Sequence, residues 1–177
     1  MKRLFAVLCC VSLLTPGRFA SAYHSTTILV ESLDGKISFA IANANDISGA
    51  SLALADLGDD GVPEIIVGNG MGQEPRVRVL RQDGSEVGSF LAYDAALGVG
   101  VNVIACDLTG DGYNEIVVSP QRGGGPHVRV FNRMGEAIDG GGFFAYDEAM
   151  RSGVNLACGD LMGDDRAELV TLPAAGG

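Results

Sequence analysis

The sequence contains no tryptophan and only two histidines among its 177 residues. Two imidazoles leave little room for a histidine-based triad, and neither a GxSxG nor an HExxH element occurs. Lacking tryptophan, the chain also lacks the residue that sugar sites often stack against. Basic residues are scarce: 12 Lys and Arg stand against 22 Asp and Glu, a net charge of −10. That balance argues against nucleic acid and anionic membrane as partners. It suits a protein that holds cations, and part of the charge serves solubility. Long apolar runs are missing too, except Leu4–Leu14, which is too short to span a bilayer. No segment carries convincing helical periodicity, so alternating β and α units are disfavoured.

Glycine is plentiful, at 26 residues, and an acidic motif recurs. Asp56–Glu64 reads DLGDDGVPE, Asp107–Glu115 reads DLTGDGYNE, and Asp160–Glu168 reads DLMGDDRAE. The copies are 51 and 53 residues apart, and each has Asp at positions one and five and Glu at position nine. A period near fifty is the signature of a repeat architecture. The match extends past the loop: Gly72–Leu80 aligns with Gly123–Phe131, and Phe90–Asp94 with Phe143–Asp147. Length variation falls in the turn before Phe90, where the second copy carries Gly140–Gly142. The third copy reaches only about half a unit, and Thr26–Phe39 looks like the back half of an earlier one. The divisions are therefore 23–49 for a partial unit, 50–100 and 101–153 for whole ones, and 154–177 for a partial third.

Residues 1–22 read as a secretory signal. Lys2 and Arg3 precede the apolar run, and Ala20-Ser21-Ala22 offers a small-x-small cleavage site. Cleavage before Tyr23 removes Lys2, Arg3 and Arg18 and no acid, taking the net charge from −10 to −13. The expected location is extracellular or at a cell surface, or periplasmic in a Gram-negative bacterium. Of the four cysteines, Cys9 and Cys10 lie in the apolar run. Cys106 sits one residue before its loop Asp, and Cys158 two before. Opposite strand faces on different units predict buried free thiols rather than a disulfide.

Within the second unit, Val101–Asp107 is a β-type run, and Glu115–Ser119 is apolar without alternation, as for a strand buried on both faces. His127–Phe131 alternates, and Gly142–Asp147 is a fourth strand candidate. Four short strands per unit predict an all-β fold of propeller-type, four-stranded blades. In the acidic loop, positions one, five and nine supply carboxylates and position seven a backbone carbonyl, an oxygen set suited to calcium. Gly61 and Gly112 at position six permit the sharp turn. The last acid at nine rather than twelve excludes an EF-hand.

The D-x-x-G-D-G-x-x-E loop followed by an apolar strand and a G-G-x-P segment resembles the FG-GAP, or VCBS-like, repeat. That repeat is the blade unit of the integrin alpha-chain N-terminal β-propeller, and the resemblance covers roughly Ala50 to Gly177. It implies a loop calcium ion, an extracellular location, and adhesion or ligand binding. In the second loop the implied ligands are Asp107, Thr109, Asp111 and Glu115 with the Tyr113 carbonyl. Thr109 is a poorer ligand than the Asp or Asn usual at position three. The first loop has Gly58 there and offers Asp56, Asp60 and Glu64 with the Val62 carbonyl. In the third, Met162 occupies position three and Asp165 replaces Gly, leaving Asp160, Asp164 and Glu168 with the Arg166 carbonyl. Calcium is expected in the second loop. For the third, with Arg166 adding positive charge, the expectation is an acidic turn bonded to its own amides.

The remaining candidates read as structure. His127 aligns with Arg76 and is expected on an exposed face, Arg78 and Arg129 as solvating strand residues, and Phe90, Tyr93, Phe143 and Tyr146 as packing between blades. Acids that recur in every copy suggest a repeated structural role rather than one active site. The functional expectation is therefore a secreted calcium-binding propeller module, not an enzyme, with a protein or glycan ligand. About three blades fall short of the roughly four to eight of a closed ring, so the expectation is a partial, truncated propeller, with self-association of several chains to complete a ring or an open stack as the alternatives. The competing readings are a lectin-like propeller and the scaffold of a secreted polysaccharide-acting enzyme.

Overall fold

Short runs of valine, isoleucine and leucine separated by glycine-rich turns favour pleated strands over helices. A computed structural model describes residues 27–31, 38–42, 49–138, 140 and 142–174. The signal expected at 1–22 lies outside the described residues. The fold is all-β: β1 (Thr27–Glu31), β2 (Ser38–Ala42), β3 (Ser51–Ala55), β4 (Glu64–Gly68), β5 (Arg76–Leu80), β6 (Glu86–Leu91), β7 (Val101–Cys106), β8 (Glu115–Pro120), β9 (His127–Phe131), β10 (Phe143–Phe144), β11 (Val154–Gly159) and β12 (Glu168–Pro173). Among the described residues a single 3-10 turn, Ala95–Leu97, is capped by the Asp94 carboxylate, which accepts from the Ala96 amide at 2.8 Å.

The strands form four antiparallel sheets, each a simple meander. Two have four strands, β3-β4-β5-β6 and β7-β8-β9-β10; two have a pair, β1-β2 and β11-β12. Register repeats between the large sheets: Ile65 opposes Leu80 as Ile116 opposes Phe131, and Val67 opposes Arg78 as Val118 opposes Arg129. Strand β8 is buried along its whole length, as its unbroken apolar run predicts.

The sheets stack face to face, and the core lies between them. Between the first large sheet and the second, Ile66, Val77 and Val79 meet Val101, Val103, Ile116 and Val118. Between the second and the β11-β12 pair, Ile104, Cys106, Val117 and Val128 meet Val154, Leu156 and Leu169. Ile28 packs on Ile65, Val67 and Leu80 at the outer face of the first large sheet. A backbone bond ties the two large sheets, from the Val101 amide to the Asn69 carbonyl at 2.9 Å. At Gly153 a Cβ would stand 2.5 Å from the Gln121 carbonyl carbon, so glycine lets the sheets approach there.

The structure overturns the expectation for the cysteines. Cys106 and Cys158 form a disulfide, with Cα atoms 6.5 Å apart. Even-numbered residues of β7 point toward the β11-β12 pair, and even-numbered residues of β11 point back. Opposite phases in successive copies are therefore what bring the two sulfurs together, because consecutive sheets face one another. The fourth strand is also shorter than Gly142–Asp147: only Phe143 and Phe144 pair, with Val128 and His127. Beyond them the chain turns so that the Tyr146 hydroxyl donates to the Thr171 carbonyl at 2.9 Å. Tyr93 does the same across the preceding contact, to the carbonyls of Val118 at 3.0 Å and His127 at 2.6 Å.

Candidate metal centre

Each acidic loop joins the first two strands of its sheet, and all three adopt one backbone shape. Positions four and six are left-handed in every copy: Asp59 and Gly61, Gly110 and Gly112, Gly163 and Asp165. The second loop alone has glycine at both, avoiding the steric penalty that L-residues meet at positive φ. The turn curls backbone amides around the first carboxylate. Asp107 accepts from Gly110 at 2.6 Å, Asp111 at 3.3 Å and Gly112 at 2.8 Å. Asp56 and Asp160 receive the equivalent amides, from Asp60 and Gly61 and from Asp164 and Asp165. The acidic-turn bonding expected of the third loop is thus common to all three.

The last acid closes each loop from the strand side. Glu115 accepts from the Leu108 amide at 2.8 Å and the Thr109 amide at 3.2 Å. Glu64 and Glu168 take the equivalent amides of Leu57 and Leu161. Among these acids only Glu115 is buried. One oxygen each from Asp107, Asp111 and Glu115 lie within 4.8 Å of one another. Among the described residues no other group of three acidic, histidine or cysteine side chains is gathered in this way. Asp56, Asp60 and Glu64, and likewise Asp160, Asp164 and Glu168, share the loop's shape but not this convergence. Thr109 Oγ1 lies 3.5 Å from Glu115 Oε1, close to the cluster. The Tyr113 amide is held by Asp111 at 2.9 Å.

The electrostatics of the cluster favour a cation. Burial raises the Glu115 carboxyl above its ordinary range; the Leu108 and Thr109 amides oppose that, and the charges of Asp111 and Asp107 add to it. Burial also acts to raise Asp107, but amide bonds from Gly112, Gly110, Asp111 and Thr109 outweigh it and hold the group low. The result is an ionised Asp107 facing a Glu115 whose charge is disfavoured until something positive neutralises it. Three carboxylates with only oxygen donors nearby fit a hard divalent cation such as calcium. Hydrogen bonds do not exclude ligation: Asp107 Oδ1 and Glu115 Oε2 each accept from two amides, but Asp107 Oδ2 and Glu115 Oε1 each accept a single bond and keep a second lone pair.

The loops lie side by side along one rim. Asn114 donates to the Asp56 carbonyl at 3.0 Å, and the Ala167 amide to the Asp107 carbonyl at 2.7 Å. Arg166 leans away from its own loop onto the second, donating to the Leu108 carbonyl at 3.1 Å. A Cβ on Gly110 would stand 2.5 Å from Arg166 Cγ. Its charge therefore bears on the second loop, whereas the sequence assigns it to the third. Beside this loop is a groove of about 480 Å³ lined by Leu108, Thr109, Val130, Ile138, Phe143 and Arg166.

Other singled-out residues have structural partners. His127 is half-buried, not exposed, and its ring stacks on Phe144 at 4.7 Å; burial, then the Arg129 charge, lowers its basicity. Arg129 reaches the Ala92 carbonyl of the preceding sheet and lies 4.9 Å over Phe131. Arg78 pairs with Glu86 at 2.7 Å. Both arginines hold structure rather than simply solvating a strand face. Phe90 packs on Phe131 at 4.6 Å, while Phe143 is 47% exposed. No helix among the described residues is long and apolar enough to cross a membrane. Compared with known proteins, no family model matches this chain, and no curated protein matches it.

Proposed function

We propose that this chain is a calcium-binding β-propeller module of the FG-GAP type, serving extracellular binding or adhesion without chemistry of its own. The observation that carries the reading is the convergence of Asp107, Asp111 and Glu115 oxygens within 4.8 Å in a thrice-repeated loop. Face-to-face stacking of antiparallel four-stranded meanders supports blades around an axis. The Cys106–Cys158 disulfide supports an oxidising compartment, consistent with a secretory signal at 1–22.

Asp107, Asp111 and Glu115 would hold the ion, with Thr109 and the Tyr113 carbonyl completing the set. The ion supplies charge neutralisation between the two strands that flank the loop. The chain's own contribution is preorganisation, because the amides of Gly110 and Gly112 already fix Asp107. Isothermal titration of the purified chain with calcium tests this. One site per chain, lost in Asp111→Ala and retained in Asp164→Ala, is the expected result. Absence of binding at millimolar calcium would exclude it.

A further inference from the structure

The Cys106–Cys158 disulfide lies against the acidic loop of the second unit. Cys106 ends β7 and is the residue before Asp107. Across the β7-β8 ladder it stands opposite Glu115, the buried acid of the cluster. The bridge therefore grips the backbone beside two of the three converging carboxylates. Its other end, Cys158, lies on β11, opposite Leu169 and one residue before Gly159, which pairs with Glu168 of the third loop. Leu108, the residue after Asp107, packs into the same apolar cluster as Cys158, Ala167 and Leu169.

The contact between the two large sheets shows what the bridge adds. The positions matching Cys106 and Cys158 there are Ala55 and Ala105, neither of which carries sulfur. Ala55 stands opposite Glu64 as Cys106 stands opposite Glu115. In both contacts the residue at loop position eight donates to the carbonyl at position one of the preceding loop. Asn114 does so with its side-chain amide, 3.0 Å from the Asp56 oxygen. Ala167 has no such reach and uses its backbone amide, 2.7 Å from the Asp107 oxygen. The backbone of the third loop therefore sits closer on the second loop than the second sits on the first. Arg166 crosses the same narrow seam to the Leu108 carbonyl. Among the described residues, the one loop bordered by a cross-link in this way is the one whose three acids converge.

We propose that the Cys106–Cys158 bridge is a redox-sensitive control on cation binding at Asp107, Asp111 and Glu115. Linked, it holds the loop in its convergent shape; severed, it lets the loop loosen, and the affinity for calcium falls. This rests on the metal-centre reading and adds the regulation of that site. The reductant is a dithiol. One of its thiolates attacks one sulfur of the bridge, and the other sulfur leaves as a thiolate and takes up a proton. The second thiol of the reductant then attacks the first, closing a cyclic disulfide and releasing the remaining cysteine. Two electrons and two protons pass from the dithiol to the protein. Severing the bridge frees the end of β7 from β11, and with it the tie from the Ala167 amide to the Asp107 carbonyl. The three carboxylates then lose the frame that keeps their oxygens within 4.8 Å, and parting relieves their repulsion. Linkage makes the effect reciprocal: a bound cation makes the bridge harder to reduce by the same factor. In an oxidising compartment the bridge forms and the site is competent; a reducing one releases the ion.

Calorimetric titration of the full chain with calcium, oxidised and in excess dithiothreitol, tests the coupling. The reduced chain is expected to bind about tenfold more weakly, within the usual span of such couplings. Cys158→Ser is expected to match the reduced parent and to ignore dithiothreitol. In a dithiothreitol redox buffer, saturating calcium is expected to shift the parent's thiol–disulfide equilibrium about tenfold toward the bridge, read by alkylation and mass, and to shift nothing in Asp111→Ala. Far-UV circular dichroism checks that the strand signal survives reduction. Where it does not, Cys106→Ala with Cys158→Val, which fills the space with apolar atoms, stands in for the reduced chain. Equal affinity in the linked and unlinked forms overturns the proposal, as does a redox equilibrium indifferent to calcium. Loss of the strand signal in every unlinked form also overturns it, because the bridge then holds the fold rather than tuning the site. Absence of calcium binding in the oxidised chain removes the metal centre itself and the control with it. Binding unchanged by reduction removes only the control, so the two failures are distinguishable.

Discussion

Breaking the Cys106–Cys158 disulfide removes a cross-link between residues 52 apart in sequence, and between two sheets rather than within one. A closed loop of that size restricts the unfolded chain enough to stabilise the fold by about 4 kcal/mol in the chain-entropy description. At roughly 2–4 °C per kcal/mol for a chain of this length, reduction should lower the melting midpoint by about 8–16 °C. The β11-β12 pair should suffer first. Its contact with β7-β8 rests on Val154, Leu156 and Leu169 plus the sulfur bridge. Urea titrations with and without dithiothreitol, and of Cys158→Ser, measure the difference. A peptide map should recover the two cysteines linked to each other. A loss below about 1 kcal/mol, or native Cys106 and Cys158 that alkylate freely, would refute the sulfur link and the packing that places Cys158 against β7.

Glu115→Gln should abolish the response to calcium yet leave the calcium-free fold at least as stable at neutral pH. The native Glu115 carboxyl is raised, mainly by burial, so its charge subtracts stability at pH 7, and that loss is relieved as pH falls through its native value; chemical denaturation in EDTA reads this. Arg166→Ala should tighten calcium binding by about two- to tenfold, since it removes a positive charge lying over the second loop; the same titration calorimetry measures it. Asp56, Asp107 and Asp160 are all held below their ordinary value of 3.8. For Asp56 and Asp107 burial opposes that and amide donation outweighs it; for Asp160 the Gly163 amide leads. Their contribution is complete above 3.8 and drains as pH falls through the lowered native values, so melting midpoints should decline below about pH 4 with a slope reduced in Asp107→Asn.

The strands and the acidic loops were legible because both obey local rules. The unbroken apolar run of β8 specified a strand buried on two faces, and the glycines at 61 and 112 announced a tight turn. The disulfide was not legible in the same way. Side-chain alternation within one strand says which face a cysteine takes, but only the stacking order says that the forward face of β7 meets the backward face of β11. The shortened β10 escaped for a related reason: the hydroxyl of Tyr146 is drawn to a carbonyl on a sheet that its local sequence does not mention. Loop positions Asp59 and Asp165 show the converse. A non-glycine residue takes the left-handed conformation there because the surrounding amide bonds to Asp56 and Asp160 dictate the turn. Arg166 was assigned to the wrong loop because its length lets it cross to the neighbouring unit.

The most direct measurement is thermal unfolding of the purified chain in calcium and in EDTA, for the parent and for Asp111→Ala. A cation bound only to the native state at about a hundred times its dissociation constant adds about 2.7 kcal/mol. At the same sensitivity of roughly 2–4 °C per kcal/mol, that corresponds to about 5–11 °C. A rise of that size in the parent, absent in Asp111→Ala, is the expected result. Identical midpoints in calcium and EDTA would contradict a metal centre at Asp107, Asp111 and Glu115 and reduce the three loops to amide-bonded acidic turns.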